Sequence, residues 1–368
     1  MKIIFICGGL EYGRDGVGDY TRLLSAELKR NENDIKIIAL NDKHINILVK
    51  VIQACNNQNI EVLRLPSVLQ LDQRLTLARD YIDGFDPEYI SLQYVPFSFQ
   101  KKGIPIGLAL KINRLTKDRK WNIMFHETWV GITKLSPLKH KIFGFFQKLS
   151  VNLILRRIKF VKISTTNRLY QIILKNEDID AQIIPLFSNI PFSDVDAEFK
   201  SSFYERLLIN EAQKSSYCLL GIFGSLYPEA NLEDVIRLEN DLAKNFNKKL
   251  IFISFGRLGN VVEFERLKKI FEPDVQFVLM GELSESKISN LLQILDKGIS
   301  CTPVEHIGKS GVYAAMRLHE LKVLLPVSDP IPEFNEEIIA YNKYLTNRAS
   351  YKWDVKHIGE KYLEFLNC

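Results

Sequence analysis

Short apolar runs recur along the chain at intervals that leave room for one helix each. In the first half they are KIIFIC (2–7), IKIIAL (35–40), IEVLRL (60–65), EYISLQYV (88–95), WNIMFH (121–126), FVKIST (160–165) and AQIIPL (181–186). Helical patterns fill the gaps; TRLLSAELKR (21–30) repeats its apolar residues every three to four positions. Near-continuous apolar strands alternating with helices predict a parallel sheet covered on both faces. The rhythm breaks between 187 and 216, where SNIPFSDVDAEF is short of strand signals and rich in turn residues. It restarts with YCLLGIFG (217–224), KLIFISFG (249–256), VQFVLMG (275–281), KGISCTP (297–303) and KVLLPV (322–327). LEDVIRLENDLAKNF and SESKISNLLQILD read as helices between these strands, and YKWDVKHIGEKYLEFLNC (351–368) as a terminal helix.

The pattern predicts an α/β chain of two Rossmann-like, doubly wound parallel-sheet domains facing each other across a cleft. The first spans 1–190. A linker follows at 191–215, and the second domain covers 216–345. A C-terminal helix in 346–368 packs back towards the first domain. The length of 368 residues suits two domains of ordinary size. In open parallel sheets ligands bind beyond the carboxyl ends of the strands, so motifs at strand ends carry the functional information.

Composition narrows the class without naming a chemistry. Hydrophobic residues make up 46% and charged ones 25%, as in ordinary globular proteins. The five cysteines, Cys7, Cys55, Cys218, Cys301 and Cys368, are odd in number and far apart. They suit reduced thiols in a cytosolic protein better than a disulfide framework or a zinc site. The first apolar run has six residues, too short for a signal peptide, and no stretch approaches the roughly 20 needed to span a bilayer. The expected location is the cytoplasm.

The net charge of +5 is unevenly spread. From Thr128 to Asn176 there is no Asp or Glu, against ten Lys or Arg. Phe143, Phe146 and Leu153 recur at helical spacing within it, with Lys139, Lys148 and Arg156 alongside. One reading is a helix on the domain core with a solvated basic face. The other is peripheral contact with an anionic membrane through 138–157, at the inner face of the cell membrane. The stretch lacks stacking groups arranged for bases, so no nucleic-acid partner is expected.

Four strand-end motifs stand out. After the first strand, GGLEYGRDGVGDY places five glycines before Tyr20; glycine lets a phosphate or another group approach the backbone. FHETW ends a buried strand with His126 and Glu127, where a histidine can bond a sugar hydroxyl or serve the core. IFGS carries Gly224 and Ser225. CTPVEHIGKSGVYAAM joins Pro303 and Glu305 to Gly308, Lys309, Ser310 and Gly311 at the start of a helical run. Backbone amides there can hold a phosphate, with Lys309 adding a charge. The spacing is not that of a Walker loop.

Across essentially its whole length the chain resembles the glycosyltransferases of GT-B architecture, most of all the large retaining family 4. The resemblance rests on Gly16-Val17-Gly18-Asp19-Tyr20, His126, Phe223-Gly224-Ser225, and Pro303, Glu305, Gly308 to Gly311 and Ala315-Met316, in that order. It implies transfer of a sugar from a nucleoside diphosphate sugar to an acceptor hydroxyl, with retention, and makes 1–190 the acceptor-side domain and 216–345 the nucleotide-sugar-binding domain. It implies His126 and Glu305 as catalytic residues. Gly16, Gly18, Gly224, Ser225, Arg257, Gly308, Lys309, Ser310 and Gly311 would bind the donor. Asp15, Asp19 and Glu127 would lie on the acceptor side, because a carboxylate beside a diphosphate repels it; helix capping is the other role open to Asp19. No cofactor and no obligatory metal are expected, since no Asp-x-Asp pair lies in a strand-end loop. The acceptor would be a glycan or a lipid-linked precursor of bacterial surface glycans.

The chain also departs from the family pattern. Ser225 and Ala230 stand where the family has an Arg and a Lys, leaving Arg257 and Lys309 as the cations for the diphosphate. Tyr313 or Ala314 stands where it has a second glutamate for the ribose. These departures keep two alternatives open: a non-catalytic partner subunit of the same fold, and a sugar-nucleotide epimerase.

Overall fold

The computed structural model describes residues 1–115, 119–134, 136–326, 336, 338, 340, 341 and 352–368. They form two compact units. The first holds Met1–Leu186, the described residues among 331–341 and Val355–Cys368, and the second holds 187–326 and 352–354. The boundary expected at 345/346, and Val327 and Tyr351 at the ends of two expected elements, lie outside the described residues.

The first unit is built on eight strands: β1 (Lys2–Cys7), β2 (Asp34–Asp42), β3 (Val49–Cys55), β4 (Gln58–Pro66), β5 (Tyr89–Tyr94), β6 (Lys120–Phe125), β7 (Val161–Thr165) and β8 (Gln182–Ile183). Their order is β3-β4-β2-β1-β5-β6-β7-β8. All neighbours pair in parallel except β3 and β4. β3 was not among the expected strands. It folds onto β4 through Asn56 and Asn57, whose φ of 46° and 61° are the left-handed pair of a tight hairpin turn that asparagine tolerates.

Helices α1 (Gly16–Arg30), α2 (Leu71–Phe85), α3 (Pro96–Phe99), α4 (Ile106–Lys111), α5 (Leu138–Leu155) and α6 (Arg168–Lys175) connect these strands. On one face of the sheet Ile4, Ile6, Ile90, Leu92 and Ile123 pack with Ile82 of α2 in the main core. The period-two alternation of strands sends their neighbours to the other face.

The second unit carries α7 (Ala197–Arg206), β9 (Tyr217–Phe223), α8 (Leu232–Asn245), β10 (Lys249–Phe255), α9 (Val261–Phe271), β11 (Gln276–Gly281), α10 (Glu285–Ile294), β12 (Lys297–Ile299), α11 (Gly311–Leu318) and β13 (Lys322–Leu324). Its five strands run in the order β11-β10-β9-β12-β13, all parallel. The direction of winding therefore reverses between β9 and β12. Residues 191–215, expected as a linker, carry α7, which buries Phe199, Phe203 and Tyr204 in the core of this unit.

The last helix, α12 (Val355–Asn367), belongs to the first unit. Its Gly359 lies so close to α1 that an added Cβ would stand 3.2 Å from the Glu27 Cγ. Its terminal carbonyls are held by side chains of the sheet. Lys162 Nζ donates to the Phe365 and Leu366 oxygens at 2.9 Å each, and the Tyr89 hydroxyl donates to Leu366 at 2.5 Å. A cation at a helix C-terminus also suits the helix dipole.

Candidate functional site

The two glycines of Gly-Val-Gly-Asp differ in what they do. An added Cβ on Gly18 would stand 2.6 Å from the Gly9 carbonyl oxygen, so the first turn of α1 rests on the backbone of the preceding loop. Gly16 meets nothing within 4 Å and is exposed at the helix start. Asp15 is the N-cap: its Oδ1 accepts from the Val17 and Gly18 amides, both at 3.0 Å. Asp19 accepts from the Gly13 amide at 3.2 Å and from Arg22 at 2.5 Å, and Arg22 lies over the Tyr12 ring. Both carboxylates thus hold the loop and helix start together. Gly18→Ala should destabilise the chain by about 1–3 kcal/mol, because a backbone carbonyl cannot move aside as a flexible side chain can. Gly16→Ala should stay within about 1 kcal/mol of the parent. Thermal unfolding of the two variants checks this; equal melting temperatures would show that the close approach carries no cost.

His126 follows β6 and is buried. Its Nε2 lies 2.9 Å from Gln93 Oε1, and the Tyr20 ring meets it edge-on at 4.9 Å. Tyr20 is two residues past Gly18, so α1 ties the glycine turn to the histidine. Gln93 in turn donates to Ser91 Oγ at 2.8 Å. The Tyr362 hydroxyl of α12 donates to the same oxygen at 2.6 Å. Asn122 Nδ2 donates to Tyr362 Oη at 3.1 Å, and Ser164 donates to Asn122 Oδ1 at 3.1 Å. A buried polar chain thus runs across β5, β6 and β7 under α12 and ends at His126. The motif reading passed over Ser91, Gln93, Asn122, Ser164 and Tyr362. For three of them a signal was present: SLQ sets Ser91 and Gln93 two apart, and NIMFH sets Asn122 and His126 four apart, in otherwise apolar strands, spacings that put each pair on one face. Glu127, next to His126, is half-buried.

In the second unit three adjacent strands end in glycines with positive φ: Gly224 at 90°, Gly256 at 83° and Gly281 at 76°. The Gly224 amide donates to Phe255 O and the Gly256 amide to Gly281 O, both at 2.8 Å. The row turns the chain out of the sheet at one level, a conformation open to glycine at little cost. An added Cβ on Gly224 would meet nothing within 4 Å. Ser225 and Arg257 come immediately after two of these glycines, and Arg257 reaches Glu282 at 3.5 Å.

On the other side of the reversal point, the loop after β12 closes on itself. Ser310 caps α11, its hydroxyl accepting from the Tyr313 amide at 3.2 Å and lying 2.7 Å from Thr302 Oγ1. Gly308 is buried, while Glu305, Lys309 and Gly311 are half-buried. Tyr313 packs edge-on against Trp353 at 5.4 Å.

His306, unmarked in the sequence reading, lies in this loop. Burial, with the charge of Lys309 as the second cause, pushes its imidazole down to about 4. A group depressed on folding keeps the folded state stable above its unfolded value and withdraws that stability as pH falls towards the folded value. His306 should therefore make the protein less stable as pH drops from about 6.5 towards 4, at ~1.4 kcal/mol per pKa unit. Replacing it, as His306→Gln, should flatten melting temperature across that window relative to the parent. Parallel pH profiles would contradict the depressed imidazole.

Among the described residues no group of three His, Cys, Asp or Glu could hold a metal ion. The structure thus brings the glycine turn and His126 together in the first unit. In the second it sets Gly224, Ser225 and Arg257 along the sheet edge that also carries the 301–311 loop.

No family model and no curated protein matches the chain. Solved structures do. The catalytic domain of starch synthase IV from Arabidopsis thaliana, bound to ADP and acarbose, aligns with a TM-score of 0.56 at 11% identity, covering 100% of this chain and 99% of that one. A putative UDP-N-acetylglucosamine 2-epimerase from Listeria monocytogenes aligns at 0.53 and 10%, covering 100% and 88%. WaaG, a glycosyltransferase involved in lipopolysaccharide biosynthesis, aligns at 0.52 and 11%, covering 99% and 95%. The chain has the α/β fold of these proteins, with two parallel-sheet domains.

Proposed function

We propose that the protein is a glycosyltransferase that moves a sugar from a nucleoside diphosphate sugar to an acceptor hydroxyl, with retention of anomeric configuration. One observation carries the reading. The loops flanking the winding reversal between β9 and β12 are an open, positive-φ Gly224 and a capped helix start preceded by Lys309. Ligands of open α/β sheets bind at this kind of switch point. Lys309, Arg257 and the amides at the start of α11 would stabilise the leaving diphosphate. Gly308 and Gly311 would let it approach the backbone. Ser310 supports the loop as its cap, and Glu305 would accept hydrogen bonds from sugar hydroxyls. His126, held by Gln93, would face the transferred sugar, with Gly16 and Gly18 on the donor side and Asp15, Asp19 and Glu127 on the acceptor side.

Bacterial surface glycan synthesis on a lipid-linked acceptor belongs to the same reading, and with it a cytosolic protein attached peripherally to the inner face of the membrane. A sugar-nucleotide epimerase is the second reading, supported by the fold shared with the Listeria protein and by Glu127 and Glu305 as acid–base candidates. A non-catalytic partner subunit is the third, suggested by Ser225 and Tyr313. Incubation with labelled UDP-, ADP- and GDP-sugars separates the three. Transfer to an added acceptor supports the first, an epimerised nucleotide sugar the second, and binding without turnover the third. Donor binding should persist in EDTA.

A further inference from the structure

Helix α5 is built inside out. Its buried side carries Gly144, Gln147 and Ser150 with Val151 and Ile154. Gly144 admits the Val130 carbonyl so closely that an added Cβ would stand 2.0 Å from it, and Gln147 accepts from the Val130 amide at 2.9 Å. The solvent side carries Leu138, Ile142, Phe145, Phe146 and Leu149, with Leu138 74%, Ile142 50% and Phe145 63% exposed. At about 100° per residue these five fall within one stripe roughly 100° wide, opposite the buried side. The row differs from the one the sequence spacing suggested, because Phe143 and Leu153 turn half inward. Lys139 lies along one margin of the stripe and Lys141 and Lys148 along the other. Lys148 pairs with Glu177, and Lys141 donates to the Lys134 carbonyl at 2.6 Å.

We infer that this face of α5 lies in the interface of an anionic phospholipid bilayer. The proposed function bears on it only in supplying a lipid-linked acceptor at that surface. A row of large exposed apolar residues marks a binding surface rather than ordinary solvent-facing helix. Its margins are basic, and the surrounding stretch from Thr128 to Asn176 contains no acid. Two copies packed through α5 would set these like-charged margins against each other. An anionic leaflet complements them, each lysine or arginine near it adding about fivefold to binding. No helix among the described residues is long and apolar enough to cross a membrane, so α5 would lie in the interfacial plane with its lysine stems reaching past the apolar row.

The test is co-sedimentation of the full chain with vesicles of equal parts phosphatidylcholine and phosphatidylglycerol, against phosphatidylcholine alone. Binding to the anionic vesicles, reduced by high salt, is expected. Ile142→Ser with Phe145→Ser should weaken it at least about tenfold, and Lys139→Glu with Lys141→Glu should weaken it comparably. These side chains are exposed, so the variants should melt with the parent. Absence of binding at low salt, or equal binding by the Ile142→Ser/Phe145→Ser variant, would overturn the inference. So would a parent dimer that this variant turns into a monomer, or a preference for an acidic protein over the vesicles. UDP and ADP binding measured on the same samples without vesicles keeps the two proposals separate: nucleotide binding without vesicle binding removes only the membrane surface.

Discussion

Lys309→Ala should weaken binding of a nucleoside diphosphate sugar by roughly ten- to a hundredfold. Lys309 ends the short turn before Ser310, the cap of α11, so it directly precedes the start of that helix. Its charge is also the second cause, after burial, of the lowered His306 imidazole. A hydrogen bond to a charged group contributes about 1.5–3 kcal/mol, which is the range of the expected loss. Calorimetric titration of donor into parent and variant reads it directly. An unchanged dissociation constant would make 301–311 a structural turn.

His126→Ala should lower turnover by about 10²–10³ while changing donor affinity by less than about tenfold. The expectation follows from how the ring is held. A buried histidine serving only the core could be satisfied by one backbone group. Here a chain of side chains from three strands and α12 converges on one ring nitrogen through Gln93. Gln93→Leu should show the same split between turnover and affinity, to a smaller extent, because it frees the ring without removing it. Normal turnover in His126→Ala with a lowered melting temperature would assign the histidine to the core.

The strands that could be read from the sequence were those buried on both faces, because they appear as near-continuous apolar runs. KIIFIC and KLIFISFG coincide with β1 and β10 on that ground. β3 differs from these: ILVKVI (47–52) is largely apolar, yet VKVIQAC lies at the sheet edge with most of its residues exposed and pairs antiparallel, outside the buried parallel pattern. Its Asn56-Asn57 turn was the available signal. Turn residues before α7 point to a linker, and three buried aromatics override that local composition. Loop glycines were visible as candidates, but their separate duties were not. Gly18 is fixed by a carbonyl beside it and Gly224 by its backbone angle, both properties of the folded neighbourhood. The polar chain behind His126 depends on Tyr362, a contact more than 230 residues away from Asn122 that no local pattern contains.

The central claim is that the second unit holds a nucleoside diphosphate sugar where its winding reverses. Hydrogen–deuterium exchange with saturating donor tests it most directly. The account predicts slowed exchange at 222–226 and 301–312, reduced in Lys309→Ala at the same donor concentration. Donor binding that leaves both segments unprotected, or no binding by any nucleoside diphosphate sugar, would contradict it.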